Sequence, residues 1–335
     1  MQKEKLAAAR RRRSEMIRRE RAVAQRKAVA IKKRKKKIVY RRIKFLACIL
    51  IFAGFLYGGV SWFGKYMANA GEGHSDAASA GSFHAETGQG NEGNIWTAGI
   101  VDARRLLKDA ELEEKLAVLA AEDKEIADIY ANRGQYPEEL LAALVGNPEI
   151  AAFVAGYPDA EKKVSGGFTN EELEAENPLL LQWDSRWGYV PYGDSNIGIA
   201  GCAPTCLSMV ILSLTGNSEA TPDALADYSM RNGHYVEGIG TAWTLLSEGA
   251  EAYGLSVREL GLDENEMKTF INRGGLIICS MRPGDFTASG HFIVLYDYDV
   301  NGFYVNDPNS RIRSDRQWSF ADIKYQIKNI WGYTV

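Results

Sequence analysis

Two cysteines and the residues around them are the first part of the chain that could carry chemistry. The stretch GCAPTC places Cys202 and Cys206 four residues apart, just before the apolar run LSMVILSL. Pro204 lacks an N–H group and suits the first turn of a helix, which predicts a helix that begins near Cys202 or Ala203. The N-terminal end of a helix stabilises a thiolate, so Cys202 is the candidate nucleophile. Cys206 lies one turn further in, where free cysteines are usually buried and inert.

A metal site, a disulfide and a pair of buried core thiols are the alternatives for this cysteine pair. A zinc site needs four protein ligands, or three and a water, and only His234, His291 and Cys279 are available to join it. Residues four apart on one helix have poor geometry for a disulfide. No metal and no cofactor is therefore expected, while the buried-thiol alternative stays open.

A thiolate nucleophile requires a base and a group that orients the base. His291 begins the alternating strand sequence HFIVLYDYD, whereas His234 lies in the loop sequence RNGHYVEGIG. We expect His234 at the surface or at the edge of a substrate site. The return strand of a hairpin, FYVNDP, carries Asp307 near its end. Asp297 is the rival orienting acid, on the same strand and face as His291 but too far along it.

The length of the hairpin loop decides whether Asp307 can reach His291. A two-residue turn would pair Asp307 near Tyr296 and face it away from His291. A five-residue loop, residues 298–302, would place Asp307 opposite Ile293 and on the same face as His291. A catalytic pairing of the two side chains therefore predicts the five-residue loop.

The elements that must position these residues follow a change in composition near residue 176. Residues 180–335 combine Gly-rich turns with strand-like runs such as GLIICSM. Helices are expected first and strands afterwards, which predicts an α+β fold with an antiparallel sheet. The expected helices are 205–214, 222–231, 241–253 and 263–272.

Four motifs in this order resemble a known family. LLQWDSRW, GCAPTC, GHFIVLYDYD and VNDP are similar to the papain-like cysteine peptidases related to bacteriocin-leader-processing domains, the peptidase C39-like family. The resemblance covers about residues 178–335. It implies a papain-like cysteine peptidase fold for residues 176–335 and a hydrolase that acts through a thiol acyl-enzyme.

The resemblance also implies roles for individual residues. Cys202 matches the nucleophile, His291 the base and Asp307 the orienting acid. Gln182 matches the glutamine that helps to form the oxyanion hole. Ala203 is a departure, because glycine is usual after the nucleophile; a helical Ala203 would be tolerated, but its methyl group could narrow the substrate cleft.

Charge separates the first 44 residues from the remainder. Residues 1–44 contain 20 Lys/Arg and 3 Asp/Glu, and the remaining residues contain 20 and 40. Residues 45–63 form a run of nineteen residues without a charge. At about 1.5 Å per residue this run is long enough to cross a hydrocarbon core. We expect a transmembrane helix, with the basic arm in the cytoplasm and the C-terminal domain outside the cell.

The N-terminal part of the chain also allows two other interpretations, a cleaved signal and a nucleic-acid-binding arm. Ala68-Asn69-Ala70 is typical of a signal cleavage site, although the apolar run is longer than that of most signals. The basic cluster KKRKKK, residues 32–37, is compatible with nucleic-acid binding. Beside a transmembrane helix, however, anionic lipid headgroups are the nearer partner, and no nucleic acid is expected.

Two further segments connect the membrane run to the C-terminal domain. Residues 64–95 are rich in Gly, Ser, Ala and Asn, which is typical of a flexible linker. Residues 96–175 are expected to form a helical stalk or packing region without a catalytic role. Its sequence YPEELLAALVGNPEIAAFVAGYP predicts two short helices and is similar to the region that precedes such domains in surface proteins of Gram-positive bacteria.

These observations predict a bacterial, single-pass, membrane-anchored extracellular cysteine peptidase or amidase. Its substrate would be a peptide, a cell-wall peptide or an isopeptide, with transamidation open as a second outcome, and its other partner would be membrane lipid. The alternative is an inactive papain-like module that holds peptides or cell-wall fragments. A structural membrane protein is the third possibility.

Overall fold

The computed structural model describes residues 100–101, 109–238 and 240–335. The predicted transmembrane helix, residues 45–63, lies outside this part of the chain, as do the basic arm and the linker beside it. Among the residues described, no helix is long and apolar enough to cross a membrane. The segment boundaries proposed from the sequence therefore stay predictions.

A helical region, residues 109–174, precedes the main sheet. Its helices are α1 (Asp109–Glu122), α2 (Lys124–Ala131), α3 (Glu138–Gly146), α4 (Ala151–Gly156) and α5 (Asn170–Glu174). A 3-10 turn, Pro148–Ile150, joins α3 to α4. The carboxylate of Asp123 accepts a hydrogen bond from the Ile126 N–H at 3.0 Å and so caps α2. The two short helices expected from the sequence are confirmed as α3 and α4.

Six antiparallel strands form the main sheet, in the order β10-β9-β8-β7-β11-β6. The strands of this sheet are β6 (Ser256–Glu259), β7 (Leu276–Met281), β8 (His291–Tyr298), β9 (Phe303–Asn306), β10 (Gln317–Trp318) and β11 (Ile327–Thr334). Shorter strands form two small sheets: β1 (Ile100–Val101), β2 (Pro191–Tyr192), β3 (Ser195–Asn196), β4 (Tyr235–Val236) and β5 (Gly240–Ala242). The expected combination of helices with an antiparallel sheet is confirmed.

Seven further helices accompany the strands in the described part of residues 176–335. They are α6 (Ile197–Ala200), α7 (Cys202–Thr215), α8 (Pro222–Arg231), α9 (Glu248–Ala252), α10 (Glu264–Asn272), α11 (Arg311–Ser314) and α12 (Phe320–Ile323). Helix α7 packs against β8. This contact brings the helix with the cysteine pair beside the strand that begins at His291.

Hydrophobic cores lie on both faces of the main sheet, because successive side chains of a strand point to opposite sides. On β8, Phe292 and Val294 belong to the core that contains the apolar side chains of α7. Ile293 and Leu295 belong to the other core, together with side chains of α10. Burial of each such side chain stabilises the fold by about 1.5–3 kcal/mol. The sheet and α7 therefore hold the start of β8 in a densely packed frame.

The expected order of helices first and strands afterwards is wrong, because strands β2 to β6 lie among the helices and α11 and α12 lie among the last strands. Strand β6 lies between α9 and α10 in sequence but joins the main sheet beside β11. The helix expected over 241–253 is replaced by β5, a 3-10 turn at Trp243–Leu245 and the short helix α9. The reason is strand pairing: the residues of β5 bond to both β4 and β1, which holds their backbone extended.

The hairpin between β8 and β9 has a four-residue loop, 299–302, and the five-residue loop expected from the sequence is wrong. Tyr298 pairs with Phe303, and the Asp299 N–H closes the turn on the Gly302 carbonyl at 2.9 Å. A register shift then occurs in the ladder at Tyr296. This β-bulge adds one residue to β8 and thereby restores the register that a five-residue loop would have produced.

Candidate active site

The nucleophile candidate begins a buried helix. Helix α7 starts at Cys202 with Gly201 as its N-cap, which confirms the start expected from the position of Pro204. The Cys202 side chain therefore lies at the end of α7 where backbone N–H groups lack helical partners. Only 3% of Cys202 is exposed. The Cys202 side chain is therefore almost completely enclosed by the protein.

His291 lies between Cys202 and Asp307. Its Nε2 atom is 2.7 Å from Asp307 Oδ1, and Cys202 lies close enough to the ring to raise the pKa of His291. Because Nε2 faces the carboxylate, Nδ1 is the ring nitrogen left for Cys202. The structure thus brings together three of the four residues predicted to form the site, and Asp307, not Asp297, is the acid that contacts the imidazole.

The electrostatics of this group favour a charged histidine. Burial alone would lower the pKa of His291, but the Asp307 carboxylate and the neighbouring Cys202 outweigh it and raise the pKa to about 9. Burial alone would raise the pKa of Asp307, but His291 and Arg313 outweigh it and hold that pKa below its ordinary value. At neutral pH the pair is therefore an imidazolium beside a carboxylate.

Asp307 has further partners that the sequence analysis missed. The Arg313 Nε–H donates to Asp307 Oδ2 at 2.6 Å, and the Asn309 N–H donates to Asp307 Oδ1 at 2.8 Å. The carboxylate itself is fully buried. The only signal in the sequence is a basic residue six positions after Asp307. That signal is weak, because Arg311 and Arg316 lie almost equally near in the chain.

Gln182 lies next to this group, but its amide is engaged elsewhere. Its Nε2 donates to the carbonyls of Gly198 and Ile199 at 2.9 and 3.2 Å, and its N–H donates to the Pro308 carbonyl at 2.7 Å. Its Oε1 is buried, without a hydrogen-bond partner among the described residues. Exchange of the two amide atoms would set Oε1 against two carbonyl oxygens. The oxyanion role expected for Gln182 therefore requires the amide to leave these carbonyls.

The remaining cysteines of the described chain are inert core residues. Cys206 is fully buried, as predicted, and burial raises the pKa of its thiol well above the ordinary value. Burial also raises the pKa of Cys279. Cys202, Cys206 and Cys279 are free thiols. Within the described ranges, no group of three His, Cys, Asp or Glu side chains is arranged to hold a metal ion.

Two other expectations concern His234 and Ala203. His234 is expected at the surface or at the edge of a substrate site. Only 5% of this residue is exposed, so the surface position is wrong, and the position at the edge of a substrate site stays a prediction. Its Nδ1 lies 2.8 Å from Thr244 Oγ1, and its ring stacks on Tyr228, which holds it in the interior. Ala203 is helical and fully buried in the core beside α7. Its methyl group therefore packs in the protein interior.

A cleft of about 140 Å³ lies beside His291. One wall consists of residues from α3 and the following turn, including Glu139, Ala143 and Asn147. The other wall includes His291, Arg313 and the segment before β8. The helical region therefore lines a cleft that His291 and Gln182 also line. The stalk or packing role expected for residues 96–175 stays a prediction.

Comparison with known proteins finds a family model that is similar to this second part of the chain. Residues 176–335 match the model of the Peptidase_C39 like family. We call these residues the C39-like region. The match supports cysteine peptidase chemistry for the C39-like region, and the individual roles of Cys202, His291, Asp307 and Gln182 stay predictions. A comparison with curated proteins finds no match.

Two solved structures are similar to this chain. The peptidase domain of Streptococcus ComA, a bi-functional ABC transporter involved in a quorum sensing pathway, is 16% identical, with a TM-score of 0.35, and the match covers 47% of this chain and 98% of that chain. A protein described as a C39-like peptidase from Bacillus anthracis is 18% identical, with a TM-score of 0.32, and the match covers 48% of this chain and 94% of that chain.

Proposed function

We propose that the C39-like region is a cysteine peptidase or amidase that hydrolyses a peptide or isopeptide bond through a thiol acyl-enzyme. The observation that carries this proposal is the buried Cys202–His291–Asp307 group at the start of α7 and β8. A nucleophile beside a base that a third group orients is the arrangement required for acyl transfer. The family match to residues 176–335 supports the same chemistry.

The reaction follows from the positions of these groups. The Cys202 sulfur attacks the carbonyl carbon of the scissile bond, and charge develops on the carbonyl oxygen. The Cys202 N–H at the start of α7 and the Gln182 amide are the proposed donors to that oxygen. As the C–N bond breaks, the His291 imidazolium gives its proton to the leaving amine. Water, deprotonated by His291, then attacks the thioester and releases the acid and the Cys202 thiolate, which restores the thiolate beside the His291 imidazolium.

The substrate of the proposed enzyme is a peptide, a cell-wall peptide or an isopeptide outside the cell. The uncharged run 45–63 after a basic arm supports a membrane anchor with the C39-like region on the far side. Protease treatment of intact cells tests this topology. Digestion of the C39-like region with survival of the basic arm is expected; protection of both parts, or release of the C39-like region into the medium, would contradict a retained anchor.

The enzyme proposal is tested with the full-length chain and a proteome-derived peptide library. New peptide termini are identified by mass spectrometry, and a mixture of cell-wall peptides is assayed in parallel for released amino groups. Cleavage by the unaltered protein and its loss in Cys202→Ala are expected. Cys206→Ala is the matched control, because its thiol is buried and protonated, and it should retain most activity. Loss in Cys206→Ala with activity in Cys202→Ala would reverse the assignment.

An inactive binding module is the second candidate. It is favoured by the Gln182 amide, whose Nε2 already donates to two backbone carbonyls. An iodoacetamide reaction at neutral pH separates the candidates, since it requires a reactive thiolate but no oxyanion. Rapid and selective alkylation of Cys202 supports the enzyme. A Cys202 that reacts no faster than an ordinary thiol supports the binding module.

A further inference from the structure

One contact between the helical region and the C39-like region lies directly behind the candidate site. The Glu149 carboxylate accepts hydrogen bonds from the Arg311 N–H at 2.8 Å and the Ile312 N–H at 3.3 Å. The Ser310 hydroxyl donates to the same carboxylate. Glu149 therefore caps the N-terminus of α11 from a distant part of the chain.

A second residue of the helical region, Asn147, also hydrogen-bonds to the C39-like region. Asn147 is buried, and its Nδ2 donates to the Asn309 carbonyl. Its Oδ1 accepts from the Glu149 N–H at 3.2 Å, which caps the 3-10 turn Pro148–Ile150. The Ile150 side chain is buried in the core of the helical region. Asn147 and Glu149 therefore belong to a capped turn that Ile150 anchors in the core of the helical region.

The segment that Glu149 and Asn147 hold is the one that surrounds Asp307. The Asn309 N–H and the Arg313 Nε–H donate to the two carboxylate oxygens of Asp307. The Ser310 hydroxyl oxygen also accepts from the Arg313 N–H at 3.0 Å. A displacement of residues 309–313 would therefore move two of the donors that fix the acid against His291.

We propose that Glu149 is a positioning residue of the active site. Through the cap on α11 it fixes the segment 309–313, and this segment fixes Asp307 against His291. The helical region thereby takes part in the chemistry of the C39-like region without contact to the reacting atoms. This proposal rests on the proposed thiol chemistry.

The experiment compares the full-length protein with Glu149→Gln and Glu149→Ala. Two quantities are measured that do not require a known substrate. They are the NMR titration of the His291 ring and the pH dependence of iodoacetamide alkylation at Cys202. The expected result is a His291 titration that falls by about one pH unit, because a loosened Asp307 supports the imidazolium less well. The alkylation rate of Cys202 should show the same change: the pH at which the imidazolium loses its proton should move to a lower value in the alkylation profile.

Glu138→Gln is the matched control, an exposed glutamate at the start of α3. It should leave both quantities unchanged. Asn147→Ala provides a second route to the same segment through the Asn309 carbonyl, and it decides the question if the Glu149 variants fail to fold. A His291 titration that stays at its original value in folded variants, even with a lowered melting temperature, would assign Glu149 to stability alone and overturn the proposal.

The outcome for Glu149 is distinguishable from the outcome for the proposed function. A protein that hydrolyses none of the peptides still has a His291 titration and a Cys202 alkylation rate. Unchanged readouts in an active enzyme overturn only the positioning role. Shifted readouts in a protein without hydrolysis support the positioning role and leave the binding module as the function.

Discussion

At the scale of single residues, the environment separates two cysteines of the same motif. Cys206 lies in the core, where burial raises the pKa of its thiol and keeps it protonated. Cys202 lies one turn earlier, at the start of α7, beside His291. The difference arises from position on one helix and from a single contact across the site. Predictions at this scale concern the protonation of His291 and the amide of Gln182.

The pH profile of the proposed enzyme should lose activity as pH rises through about 9, the pKa of His291. Because the pKa of His291 is raised in the folded protein, the folding stability that the imidazolium contributes is fully present below the ordinary value of 6.5. It is lost as pH rises through about 9.

Asp307→Asn removes the carboxylate charge, and the alkaline limb of kcat/KM should move toward 6.5 or below. Asp297→Asn is the control and should leave the limb in place; a shift there instead would make Asp297 the orienting acid.

Gln182→Ala tests the oxyanion role. Removal of an oxyanion donor lowers kcat by about 10²–10³-fold. Iodoacetamide alkylation of Cys202 forms no oxyanion, so its rate should stay close to that of the unaltered protein. A loss of both hydrolysis and alkylation would instead assign Gln182 to the structure of the site, in agreement with its present bonds to Gly198 and Ile199.

At the scale of elements, one bulge and one helix start determine the site. The extra residue at Tyr296 shifts the β8–β9 register by one residue, so that Val294 pairs with Asn306. In the same register the next residue, Asp307, lies opposite Ile293. Without that shift, Asp307 would face away from His291, since side chains alternate along a strand. The start of α7 depends in turn on Gly201, which lies against the backbone of α6.

Gly201→Ala should displace the start of α7. The added Cβ would lie 2.4 Å from the Ile197 carbonyl oxygen, a backbone atom that cannot move away as a side chain can. Overpacking of this kind costs about 1–3 kcal/mol, measurable by denaturant unfolding, and alkylation of Cys202 should slow. Gly134→Ala is the matched control, because its Cβ would have no neighbour within 4 Å. Equal stability of the two variants would contradict the close approach.

At the scale of the whole described molecule, the helical region and the C39-like region share a core. Ile199 of the C39-like region belongs to the hydrophobic cluster of the helical region. Phe153 stacks on Tyr189 with ring centroids 4.4 Å apart, and the Tyr189 hydroxyl donates to the Phe153 carbonyl. The Phe153 ring also lies where a side chain at Gly198 would have to go. We therefore expect the two regions to unfold together.

Phe153→Ala should destabilise both regions, although Phe153 lies outside the matched residues 176–335. Loss of a buried phenylalanine costs about 3–5 kcal/mol. Thermal unfolding should keep a single transition at a lower temperature. Val118→Ala, on the same helical region but 59% exposed, should change the stability by less than about 0.5 kcal/mol. An early transition that leaves the C39-like region folded and active would contradict the shared core.

The sequence by itself determined the elements whose signals are local. Pro204 and the apolar run after it indicated where α7 begins, alternation indicated β8, and their mixture indicated an α+β fold. Residue types and motif order then selected Cys202, His291 and Asp307 as the chemical group. These signals depend on backbone sterics and side-chain periodicity within a few residues, so they can be recognised along the chain.

Only the tertiary structure decided how those elements meet. The bulge at Tyr296 replaced a longer loop, because two different local solutions lead to the same strand register. The bond from Arg313 to Asp307 and the cap from Glu149 on α11 depend on contacts between separate segments, the second spanning more than 160 positions. The packing of complementary surfaces sets such contacts, and no local pattern encodes them. The candidate residues were therefore visible in the chain, while the support around Asp307 became visible only in the fold.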